Sequence, residues 1–93
     1  MALNVLYVAD ERTAQTTPEA FGVRLRQSGF GAQSQRAEGD EVELALDGGV
    51  TLWLLVENGF VVEVEAEVKF VNDRKSAKLL ELIESMGWVP VEE

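Results

Sequence analysis

A chain of 93 residues, 46% hydrophobic and with a formal net charge of −9, has the size of one domain (residues 1–93), and its patterned apolar content argues against intrinsic disorder. It contains no cysteine and no histidine, which excludes disulfides, thiolate metal sites and every catalytic scheme that needs an imidazole or a thiolate. The acidic excess repels phosphate backbones and anionic lipid surfaces, so neither direct nucleic-acid binding nor membrane association is expected, and no apolar run approaches the roughly 20 residues of a spanning helix.

The chain opens with Met1-Ala2-Leu3-Asn4, which has neither the basic segment nor the apolar segment of a secretory signal, so a cytoplasmic location is expected. Leu3 to Ala9 carries apolar residues on both faces and reads as a buried strand. Asp10 to Thr16 is polar and reads as a loop. Thr17-Pro18-Glu19 is a helix start, with a hydroxyl cap, proline in the first turn and an acid where the helix dipole favours one. The helix is expected over about 18–28, burying Phe21 and Leu25 and ending at a left-handed Gly29. Phe30 to Arg36 reads as a polar strand suited to a sheet edge.

Three stronger strands follow, Glu41 to Leu46, Val50 to Val56 and Phe60 to Val71, separated by Asp47-Gly48-Gly49 and Glu57-Asn58-Gly59. The loop lengths decide the register. A two-residue Asn58-Gly59 turn pairs Leu54 with Glu63 and Leu52 with Glu65, which places apolar and acidic residues on both faces. A three-residue loop pairs Val56 with Phe60, Leu54 with Val62 and Leu52 with Val64. At the first loop the same choice pairs Leu46 with Val50 and Leu44 with Leu52. The alternation therefore favours three-residue loops at both places. A last helix, capped by Asn72 or Asp73, carries its apolar stripe on Leu79, Leu82, Ile83 and Met86 and ends at Gly87. Trp88-Val89-Pro90-Val91 then runs extended, confined by Pro90 to an edge or a tail.

The order β-α-β-β-β-β-α implies an α+β fold: a four- to five-stranded, mainly antiparallel sheet with two helices on one face. The helices should cover the even-numbered, apolar side from Val42 to Val68. The odd-numbered side is then left over. It carries an apolar strip of Trp53, Leu55 and Val61, flanked by Glu41 and Glu43 on one neighbour and by Glu63, Glu65 and Glu67 on the other. Alternate residues of a strand stand about 6.6 Å apart, so each set of glutamates forms a row. Charge is concentrated in the same stretch. Nine acids and no base lie between Glu38 and Glu67, and the remaining acids and bases cancel.

Trp53, Leu55, Val61, Glu41, Glu43, Glu63, Glu65 and Glu67 are accordingly the candidate binding residues. An apolar strip with a charged rim suits a protein partner, which charge complementarity makes a basic one, or a second copy of the chain. The structural alternative is a solvated face whose glutamates guard against aggregation. No metal or other cofactor is expected, because clustered carboxylates without an ordered ligand loop are a weak cation site. No glycine-rich loop stands between a strand and a helix. Carboxylates on an open sheet face lack the pocket that would separate their pKa values, so no catalytic residue is assigned and no enzymatic activity is expected. Arg24, Arg26 and Arg36 form a small basic group that suits ion pairing with the acidic excess better than phosphate binding.

The layout from Thr17 to Trp88 is helix, glycine-aromatic, antiparallel meander, helix. It resembles secretion-chaperone-like domains, including the YbjN-type family, through Leu25-Arg26-Gln27-Ser28-Gly29-Phe30, the strand Val50 to Val56 and the helix Ala77 to Met86. The resemblance implies polypeptide binding and dimerisation. Three roles follow in order of preference: a small acidic protein-binding module, with a nucleic-acid-mimicking inhibitor as its special case; a structural homodimer; and, last, a metal- or metabolite-binding enzyme fragment.

Overall fold

The computed structural model describes residues 3–10, 15–46, 49–69 and 74–91. The fold is α+β, with two helices against one face of a six-stranded antiparallel sheet of order β2-β3-β4-β5-β1-β6. In chain order the elements are β1 (Leu3–Ala9), α1 (Pro18–Gln27), β2 (Ala32–Glu38), β3 (Glu41–Leu46), β4 (Val50–Glu57), β5 (Phe60–Val68), α2 (Arg74–Ser85) and β6 (Trp88–Pro90). The sheet is larger than the four or five strands expected, because the extended segment after Gly87 pairs with β1 as a sixth strand. Pro90 has no N–H to donate to a ladder, and β6 is indeed an edge. The other edge is the polar β2, displaced by two residues from its expected bounds.

Helix α1 forms where its local signals put it. The Thr17 hydroxyl accepts from the Ala20 amide at 3.1 Å, Pro18 opens the first turn, and Gly29 (φ 88°) closes the C-terminus. Phe21 and Leu25 are its fully buried positions, and Leu79 and Ile83 are those of α2 together with Ser76. The proposed caps of α2, Asn72 and Asp73, lie outside the described residues, as does the expected continuation of β5 to Val71. Gly87 (φ 100°) ends α2 as its left-handed position requires.

The core sits between the helices and one face of the sheet: Leu44, Leu46, Val50, Leu52, Leu54, Val64, Ala66 and Val68, with Tyr7 and Trp88 from the far strands. Phe21 meets Trp88 edge-on, with ring centroids 5.9 Å apart and planes at 70°. Burial, aided by the charge of Glu84, pushes the Tyr7 phenol up to about 12 from its ordinary 10.0.

The β3–β4 register is the expected one, with Leu46 opposite Val50 and Leu44 opposite Leu52. The β4–β5 register is not. Leu52 pairs with Ala66 and Leu54 with Val64, two residues from the expected partners. The hairpin uses the two-residue turn, Glu57 opposite Phe60, and both Asn58 (φ 53°) and Gly59 (φ 84°) take the positive φ of a type I′ turn. An irregularity between Leu55 and Val56 then adds one residue to β5, because Leu55 faces Glu63 while Val56 faces Val61. This β-bulge reconciles two requirements. The Asn-Gly turn matches the strand twist best, but on its own it would set glutamates among the core residues; one extra residue restores the alternation beyond it.

Candidate functional site

The face of the sheet away from the helices has no element packed on it among those described. Beyond the bulge, strand alternation and cross-strand pairing assign its positions. Trp53 lies between Glu43 and Glu65, Leu55 between Glu41 and Glu63, and Thr51 between Ala45 and Glu67. The two glutamate rows flank the β4 strip as expected, roughly 9.6 Å apart across two strand spacings. Trp53, Leu55, Glu43, Glu63 and Glu67 are half-buried, and Glu41 and Glu65 are exposed. The seven are therefore brought together on one surface.

Val61 is not among them. It was expected in the outward apolar strip but is fully buried, with 0% of its surface exposed, and belongs to the core. The bulge is the cause. Between the turn and the bulge the parity of β5 is reversed, so Val61 points inward opposite Val56. Phe60 and Val62, expected in the core, are only half-buried.

Sequence reasoning also missed the contribution of β1 and β6. Strand β1 lies beside β5, with Leu6 opposite Glu65, Val8 opposite Glu63 and Asn4 opposite Glu67. On the outer side of β1, Val89 pairs with Val8, and the Val91 amide donates to the Leu6 carbonyl at 2.8 Å. Leu6, Val89 and Val91 are 37%, 44% and 42% exposed, a concentration of uncovered aliphatic surface that single scattered residues would not give. The one available signal was that β1 is apolar on both faces although only one can meet the helices.

The open face is thus striped. An aliphatic band on β1 and β6 is followed by the glutamates of β5, then Trp53 and Leu55 on β4, then the glutamates of β3. A shallow depression of about 90 Å³ lies across the stripes, lined by Leu6, Trp53 and Leu55 and by Glu41, Glu63 and Glu65. At the β2 edge, Arg36 pairs with Glu43 and Glu38 with Glu41, so Arg36 brings a base to this face. The three arginines of the basic group are dispersed. Arg24 and Arg26 line two separate depressions at α1, and Arg36 is on the opposite side of the sheet. Among the described residues no group of three or more histidine, cysteine, aspartate or glutamate side chains is placed to hold a metal ion, and no helix is long and apolar enough to cross a membrane.

No protein-family model, curated protein or solved structure matches the chain.

Proposed function

We propose that the chain is a small, non-enzymatic, cytoplasmic protein-binding module that engages a basic protein partner through its open sheet face. The supporting observation is the uncovered stripe pattern, in which Trp53 and Leu55 lie between two glutamate rows and a second apolar band, Leu6 with Val89 and Val91, lies beyond them. Trp53 and the aliphatic bands supply contact area; Glu41, Glu43, Glu63, Glu65 and Glu67 steer and orient a cationic surface. The same rows disfavour a second copy of the chain on this face, since apposing two such surfaces brings carboxylate against carboxylate. Polypeptide binding is also what the secretion-chaperone-like layout implies.

The test is a pull-down from cells of the source organism, followed by measured affinity for each captured protein. The wild-type chain should retain a basic protein. Retention should fall steeply between about 50 and 200 mM salt, with the Trp53→Ala variant losing more affinity than Glu65→Gln. Equal retention by both variants, unaffected by salt, would remove the reading. Light scattering at micromolar concentration separates a monomer from a homodimer.

A further inference from the structure

The open sheet face restricts the shape of whatever docks on it. Strand β4 is paired with β3 on one side and β5 on the other, and β5 is paired in turn with β1. The backbone N–H and C=O groups of β4 and β5 are therefore committed within the plane of the sheet, and this face offers a partner side chains only. An extended segment laid across it would strip water from its own backbone polar groups and gain no ladder in return. A helix satisfies its backbone internally and brings side chains alone to the contact.

The side-chain pattern matches a helix in period and in width. Trp53 stands between Glu43 and Glu65, and Leu55 between Glu41 and Glu63, so each apolar residue has a carboxylate on both sides. Trp53 and Leu55 are alternate positions of β4, about 6.6 Å apart, and helix positions i and i+4 are about 6.0 Å apart along the axis. The two carboxylate rows are roughly 9.6 Å apart, close to the roughly 10–12 Å width of a helix with its side chains. Positions i+1 and i+3 lie on opposite flanks of an i, i+4 ridge, so cations there point to opposite rows. The depression of about 90 Å³ bordered by Leu6, Trp53 and Leu55 is well below the roughly 300–1,000 Å³ of small-molecule sites, and suits one apolar side chain of such a ridge.

Resting on the reading of this face as the docking surface for a basic protein, we propose that the segment it receives is a cationic amphipathic helix lying along β4. Its apolar residues at i and i+4 seat on Trp53 and Leu55. Glu41 and Glu43 pair with Lys or Arg on one flank, and Glu63 and Glu65 with Lys or Arg on the other.

The probe is a synthetic end-capped peptide of about 18 residues, with leucine at the i, i+4 repeat and lysine on both flanks. One control scrambles its order, which keeps the charge and loses the ridge. A second carries a central proline, which keeps the order and breaks the helix. Binding is followed by calorimetry, by circular dichroism and by the two indole N–H resonances, which separate Trp53 from the buried Trp88. The helical peptide should saturate the protein at about 100 μM or below, gain helicity, and move the Trp53 resonance while leaving that of Trp88 in place. Both controls should bind about tenfold more weakly, as should the helical peptide to Trp53→Ala and to a double variant with Glu43→Gln and Glu65→Gln. The proposal is overturned by equal affinity for either control, by unchanged affinity in both variants, or by a shift at Trp88 with none at Trp53. If the helical peptide fails to bind while a basic protein is still retained in a Trp53-dependent way, the helix is wrong and the basic partner stands. If that retention is absent too, both readings fall.

Discussion

The two faces of the sheet are built from the same strands, yet they follow different rules. On the helix side every position contributed by β3 and β4 from Leu44 to Leu54 is buried and apolar. On the open side the neighbours alternate across the strands: aliphatic, acidic, aromatic, acidic. The covered face answers to apolar volume and close packing. On the open face Glu41, Glu43, Glu63 and Glu65 each stand beside an apolar neighbour at strand spacing, an arrangement that solvation alone does not require. Period-two alternation lets the two faces vary independently, so a core face and an uncovered face can occupy one 8-residue strand such as β4.

The contrast can be broken most severely from the covered side. Leu52→Ala removes a side chain with 0% exposure and should cost about 2–5 kcal/mol, whereas Leu55→Ala, three residues on and half-buried, should cost about 1 kcal/mol. Urea unfolding of the two variants measures the difference, and equal costs would mean that both faces are packed alike.

Tyr7 sharpens the contrast by pH. Its phenol belongs to the covered face, and the folded state raises its pKa from 10.0 to about 12. A raised pKa means that folding favours the neutral phenol. The associated stability is fully present below pH 10.0 and is lost as pH rises through about 12. The chain has one tyrosine, so the tyrosinate absorbance reports Tyr7 alone. Its midpoint should lie near 12 in the folded protein, and a midpoint near 10.0 would place the phenol in water.

The smallest expected effect tests the junction between the faces. Deleting Val62 removes the extra residue of the bulge while keeping Leu55 opposite Glu63 and Val56 opposite Val61, so stability should change by only about 1 kcal/mol or less. With a three-residue loop and no bulge, the same deletion would turn glutamates into the core and the chain would not fold. Circular dichroism with urea unfolding distinguishes the two.

Much of this was legible without coordinates wherever the signal is local. Helix α1 announced itself through Thr17, Pro18 and Gly29, and the Leu46–Val50 pairing through alternation across a short loop. Seven of the eight proposed surface residues share the open face for the same reason. Val61 was misplaced because two devices achieve the same alternation: a three-residue loop, or a two-residue turn followed by a bulge. Pattern alone does not distinguish them, whereas strand twist favours the positive-φ pair Asn58-Gly59. The outer aliphatic band went unseen because the partners of β1 are distant in sequence. Its neighbours come from β5 and from the last described residues of the chain.

The amino-acid order by itself determined the α+β class, the N-cap of α1, the glycines that close both helices, the parity of β3 and β4 and the concentration of charge in the middle third, because each depends on interactions within a few residues or on period-two patterning. Tertiary structure decided that β1 sits between β5 and β6, that Val61 turns inward, and that Leu6 joins Trp53 and Leu55 around one depression. Those outcomes follow from contacts between segments far apart along the chain, which compete on packing and twist rather than on local preference.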